Sequence, residues 1–207
     1  MKLFATPKSH FSRKIRLLLD HWEQPYQLID VGNVATADPT QFHHNPAMQV
    51  PVLEDDGVVL LESDHIASYL TRKLDPADRF GVNTQQPDIL NARAVMNNIM
   101  ANEVKLILAA RTGLDPKPHA YFQKAEQGIR HGLRWLEDHI SLFQATQPSY
   151  ADFHLICMWD HLDLYETVTL PYPQLRDIVA KRSQSAVIRA SHPLAPFDPK
   201  ITVAPND

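Results

Sequence analysis

The spacing of apolar positions changes along the chain and divides it into two parts of different kind. Residues 2–5 make a short strand candidate stopped by Thr6-Pro7. Ile15, Leu18, Leu19 and Trp22 then recur at i, i+3, i+4 and i+7, one apolar helical face. Glu23-Gln24-Pro25 ends that helix, because the residue before a proline is pushed out of the helical region. Residues 26–31 read as a second strand. Asp38-Pro39 supplies a cap followed by proline at the first helical position, which predicts a short helix through Phe42. Residues 50–54 and 58–61 predict two strands joined by Asp56-Gly57, a strong hairpin signal. A helix from about Ser63 places Ile66, Tyr69, Leu70 and Leu74 on one side. The predicted order within residues 1–75 is β-α-β-α-β-β-α.

Beyond this point strand signals vanish. Residues 76–87 are polar and proline-bounded and read as a linker. Residues 88–111 predict one long helix, with Ala92, Val95, Met96, Ile99, Met100 and Ile107 inward. Residues 118–144 predict another, with Phe122, Ala125, Ile129, Leu136, Ile140 and Phe143. Ser149, with Asp152 three residues on, resembles a capping box with Asp replacing the usual Glu or Gln, and opens a helix that is apolar on several faces and therefore expected in the middle of its bundle. Residues 172–182 and 185–190 predict two more helices. The tail 191–207 carries Pro193, Pro196, Pro199 and Pro205 and is expected to lie along the surface or stay loose. The second domain is thus all-helical over residues 88–190.

Composition narrows the class. The chain has 207 residues, 44% of them hydrophobic, enough for a real core. Its net charge of −4 argues against a nucleic-acid partner, which calls for a basic face. A single cysteine, Cys157, excludes an internal disulfide framework and suits a reducing compartment. The first residues lack the apolar run of a secretion signal, and no segment approaches the ~20 apolar residues of a membrane span. A soluble, cytoplasmic protein without membrane contact is the expectation. Histidines number 11. His154, Cys157 and His161 share a helix face at ligand-like spacing. Their place in the predicted central helix fits core packing better, as does a small buried Cys. His43-His44 is an equally weak pair, and no metal is expected.

The motifs carry a family likeness. Ser9-His10-Phe11-Ser12-Arg13-Lys14-Ile15-Arg16 follows the first strand; Asn45-Pro46 leads to Gln49-Val50-Pro51-Val52-Leu53; Glu62-Ser63-Asp64-His65-Ile66 leads to Tyr69-Leu70; and Ser149-Tyr150-Ala151-Asp152 opens the central helix. In this order and at this spacing the chain resembles the cytosolic glutathione transferases, of the serine type, zeta-like or a related bacterial member. The resemblance implies a thioredoxin-like α/β domain over residues 1–75 and an all-α C-terminal bundle that carries the second-substrate site. It also implies glutathione as substrate or cofactor, a small hydrophobic electrophile as its partner in a detoxifying transfer, and a homodimer. Gln49 leans toward the zeta-like members. His10 departs from the pattern, standing where the family commonly has proline.

Glutathione is a tripeptide with two carboxylates, an amine and a thiol, and the resemblance assigns residues to each. Gln49, Val50 and Pro51 are implied to present a strand edge, through a cis Val50-Pro51 bond, to the cysteinyl backbone. Glu62 and Ser63 are implied to hold the γ-glutamyl end, Ser63 as helix N-cap with its hydroxyl and nearby N–H groups toward the carboxylate. Glu62 or Asp64 faces the ammonium. Ser9 is the candidate catalytic residue, donating a hydrogen bond to the thiolate without removing the proton. Ser12 is its rival, though also a natural N-cap for the first helix. Arg13, Lys14 and Arg16 oppose the dipole of that helix start, which fits either a nearby bound anion or a solvated face. Two other readings stay open: a glutathione-dependent isomerase, and a non-catalytic regulatory protein on the same fold.

Overall fold

The computed structural model describes residues 1–43 and 45–195 and the backbone of Ile201–Val203. His44, residues 196–200 and residues 204–207 lie outside the described residues. The chain forms two compact units: Met1–Asn83 together with the segment from Ser185, and Thr84–Gln184.

In the first unit β1 (Lys2–Ala5) alternates exposed and buried positions, with Leu3 and Ala5 inward. It leads into α1 (His10–His21), then β2 (Gln27–Asp30), which pairs with β1 in parallel, Leu3 opposite Leu28. A 3-10 turn, Pro39–Phe42, is capped by Asp38 as the sequence predicts, the carboxylate accepting from Thr40 N–H at 2.9 Å. β3 (Val52–Asp55) runs antiparallel to β1 and makes a hairpin with β4 (Val58–Leu61). Asp56 and Gly57 turn that hairpin with φ of 49° and 80°, the double left-handed geometry of a two-residue loop. α2 (Ser63–Leu74) follows. The stretch expected as an unpatterned linker is packed in its first half. Phe80 and Val82 are buried, the Asp75 carboxylate accepts from Trp22 Nε1–H and Arg79 N–H, and Asp78 accepts from Val82 and Asn83 N–H.

The second unit holds α3 (Pro87–Arg111), α4 (Ala120–Asp138), α5 (Tyr150–Tyr165) and α6 (Pro173–Arg182). α3 and α4 approach closely at Gly132, where an added Cβ would stand 2.8 Å from Ile99 Cδ1. The predicted helix to residue 144 instead stops at Asp138 and continues as a 3-10 turn, Ile140–Phe143. α5 is buried on nearly every side and opens with the expected capping box: Ser149 N–H reaches Asp152 Oδ2 at 2.7 Å, and Asp152 N–H reaches Ser149 Oγ at 3.2 Å. Arg182 closes the unit from α6, giving hydrogen bonds to Asp152 Oδ1 and to the carbonyls of Phe143, Ala145 and Thr146.

Polarity in this unit departs from the apolar pattern at Glu103, fully buried on α3, with His161 Nδ1 at 2.8 Å from its Oε2. His161 thus faces a carboxylate from α3, while His154 packs its ring against Tyr150. Burial holds the Glu103 carboxyl above its ordinary 4.5, opposed by the hydrogen bond and charge of His161. A carboxyl with a raised folded pKa loses stabilising effect as pH climbs through that value. The stability difference between wild type and Glu103→Gln is therefore expected to move in the variant's favour from about pH 5 to about pH 8. Urea unfolding at both ends of that window checks it.

The chain then returns to the first unit with α7 (Ala186–Ala190), and Ile201–Val203 adds β5 parallel to β2, Ile29 opposite Thr202. The sheet order is β4-β3-β1-β2-β5. This corrects the expectation of a surface-lying tail, since at least these three residues extend the sheet.

Candidate functional site

Strand register gathers the motifs at one end of the sheet. Phe4 opposes Val52, and Val52 opposes Leu61. One step outward along these ladders, Val50-Pro51 lies beside the exit of β1 toward Ser9, and Glu62-Ser63 lies on its other side. Three segments far apart in sequence therefore end together.

The middle segment is shaped by Asn45. Its Nδ2 donates to Gln49 O at 2.7 Å, its Oδ1 accepts from Ala47 N–H at 2.9 Å, and its backbone carbonyl accepts from Met48 N–H. Met48 takes a φ of 53°, and the Val50-Pro51 bond is cis. Among the described residues neither the N–H nor the C=O of Val50 has a hydrogen-bond partner. Gln49 is exposed and Pro51 buried. This is a short unpaired edge, open to an extended peptide.

The third segment differs from expectation in one respect. The N-cap of α2 is Glu62, not Ser63; it takes a φ of 71° and accepts Asp64 N–H at 2.8 Å and His65 N–H at 3.3 Å on Oε2. Ser63 is the first helical residue, nearly fully buried, and its hydroxyl donates to Glu62 Oε1 at 3.1 Å. A glutamate can cap here because its longer arm curls back from an exposed position over the first turn. Among the described residues Ser63 N–H keeps no partner, so one donor of the helix start stays open.

At the first segment the cap of α1 likewise falls on the other residue, Ser9 in place of Ser12. Ser9, half-buried, is the N-cap of α1, accepting from Ser12 N–H at 3.2 Å. Ser12 is fully buried, three residues into the turn, and its hydroxyl lies 3.0 Å from Ser9 Oγ. His10 occupies the first helical position, whose N–H has no intrahelical use; this is where a proline is also favoured, so the departure at His10 is accommodated. The three cations of α1 are not solvated: each is buried and has a partner within the protein. Arg13 donates to Ser191 Oγ at 3.0 Å and to Ile188 O at 3.2 Å, and Arg16 reaches Pro7 O. Lys14, whose side chain is fully buried, binds Asp64 at 3.2 Å and so ties the start of α1 to the start of α2. Asp64 is thereby neutralised, leaving Glu62 as the acid exposed at this end. Sequence pattern does not reveal the Lys14–Asp64 tie, because nothing local marks a partner fifty residues away.

Comparison with known proteins bears on this arrangement. Residues 3–77 match the family of glutathione S-transferase N-terminal domains. This part of the chain is a glutathione S-transferase N-terminal domain. No curated protein sequence matches the chain. Among solved structures it is similar to a glutathione S-transferase of Methylobacillus flagellatus KT with glutathione bound, at 23% identity and a TM-score of 0.77, covering 95% of this chain and 99% of that one. It is similar to a glutathione transferase family member of Pseudomonas fluorescens Pf-5 with bound glutathione, at 25% identity and a TM-score of 0.75, covering 95% and 99%. It is likewise similar to a bacterial zeta-class maleylpyruvate isomerase, at 22% identity and a TM-score of 0.75, covering 96% and 99%. The fold is that of the glutathione transferases: a thioredoxin-like first part and a helical remainder.

Proposed function

We propose that the protein is a cytoplasmic glutathione transferase, conjugating the glutathione thiolate to a small hydrophobic electrophile. The observation that carries this is the Val50 backbone, unpaired among the described residues and set by register between Ser9 and the start of α2. An extended tripeptide pairs its cysteinyl N–H and C=O with Val50, beside Gln49 and Pro51. Its γ-glutamyl carboxylate takes Ser63 N–H and the Ser63 hydroxyl, which turns away from Glu62. That turn frees a lone pair on Glu62 Oε1 for the ammonium, so one rotation serves both charges. The thiol then points to Ser9, whose hydroxyl stabilises the thiolate. The helical unit supplies the electrophile site. The similar structures holding glutathione support the ligand. No described helix is long and apolar enough to cross a membrane. Exposed Val58 and Val59 on edge strand β4 favour a homodimer.

A second reading, glutathione-dependent isomerisation, is favoured by Gln49 ahead of Val50-Pro51 and by the likeness to the zeta-class isomerase. It uses the same glutathione site and differs in returning the tripeptide unchanged.

Calorimetry tests the shared step. Glutathione is expected to bind, and Ser63→Ala to bind about tenfold or more weakly, having lost a charge-assisted hydrogen bond. No heat at millimolar glutathione would remove both enzymatic readings and leave the non-catalytic regulator.

A further inference from the structure

Ser9 Oγ receives two hydrogen bonds from one residue, the N–H of Ser12 at 3.2 Å and the Ser12 hydroxyl at 3.0 Å. Burial fixes the direction of the second. Ser12 is fully enclosed, and among the described residues its hydroxyl meets no partner except Ser9. If Ser9 were the donor, the Ser12 hydrogen would be shut inside the protein with no acceptor, which folded interiors avoid. Ser12 is therefore the donor. A serine hydroxyl has one hydrogen and two lone pairs, and both lone pairs of Ser9 are now filled. Its hydrogen, by contrast, has no acceptor among the described residues, and Ser9 is half-exposed.

We propose that Ser12 is a positioning residue of the glutathione site: by filling both lone pairs of Ser9 Oγ, it leaves Ser9 able only to donate outward, to the glutathione sulfur. The inference rests on the catalytic reading of Ser9 given above. It decides between the two ways a serine can assist a thiol. With no lone pair open, Ser9 does not take the thiol proton. That proton leaves the S–H bond for water, the electron pair stays on sulfur, and Ser9 keeps its own hydrogen to share with the anion. Hydrogen bonds received on the oxygen polarise the O–H and strengthen the bond it gives. The two serines are one device, with Ser12 acting only through Ser9.

A double-mutant cycle reads this directly. Wild type, Ser9→Ala, Ser12→Ala and the double variant are saturated with glutathione, and the thiolate absorbance is titrated against pH; glutathione affinity and thermal midpoint are measured alongside. Ser12→Ala is expected to bind glutathione as the wild type does and to hold about two- to tenfold less thiolate below the thiol pKa, the loss of one hydrogen bond's influence. Ser9→Ala is expected to raise the thiol pKa further, and adding Ser12→Ala to it should change nothing more. A lowered thermal midpoint with an unmoved thiol pKa in Ser12→Ala overturns the inference and makes Ser12 a packing residue. An equal shift in the Ser9→Ala background overturns it as well, because Ser12 then acts on the thiolate independently. An unmoved pKa in Ser9→Ala, or absence of glutathione binding, overturns the catalytic reading of Ser9 and this inference with it.

Discussion

Ser9→Ala is expected to lower turnover with an activated haloarene about a hundredfold, with glutathione affinity changed far less. The size follows from removing one preorganised donor aimed at developing charge. In the proposed site the Val50 backbone, Ser63 and Glu62 hold the rest of the tripeptide and are untouched, so the loss is expected in kcat. It is not expected to be complete, since the amide dipoles at the start of α1 would still favour an anion placed there. Ser9 is also the N-cap of that helix, so the variant is expected to lose about 1 kcal/mol of stability. Rates are best compared well below its thermal midpoint. Turnover within twofold of wild type would remove Ser9 from the chemistry.

Arg182→Ala carries the largest expected cost in stability, about 3–5 kcal/mol by urea unfolding. Its guanidinium is the charge partner of Asp152, which is 1% exposed, and it also serves three backbone carbonyls. Truncation leaves the carboxylate of the capping box buried without its charge partner, held only by the Ser149 N–H and hydroxyl. Removing both charges in Arg182→Met with Asp152→Asn is expected to recover part of the loss, because no isolated charge then remains. A midpoint close to wild type for Arg182→Ala would show that water enters and solvates Asp152.

Features whose partners are close along the chain are legible in the amino-acid sequence itself. The Asp56-Gly57 turn needs two residues with positive φ, and its chemistry announces that. Ser149 and Asp152 complete each other three residues apart. Sequence pattern misplaces the cap of α2 because serine is the commoner cap, and Ser63 stands one residue from the glutamate whose curled side chain serves instead. Ser9 and Ser12 can both be named, but sequence pattern gives the cap to Ser12, since either can cap a helix start; the structure gives it to Ser9 and buries Ser12. Arg13, Lys14 and Arg16 are the hardest to read. Sequence pattern places charged residues at the surface, and the acceptors of Arg13 at Ser191 and Ile188 and of Lys14 at Asp64 are remote along the chain. β5 has no signal, because three residues in a proline-rich tail form no period of their own.

The hydrogen bonds of Arg13 to Ser191 and Ile188 have a consequence for synthesis. The first unit starts ahead of the helical unit, yet the buried Arg13 guanidinium stays without these acceptors until α7 has been made. During translation, at about 5–20 residues per second, the ribosome must deliver the whole helical unit first. The first unit thus emerges ahead of the helical unit and is finished after it.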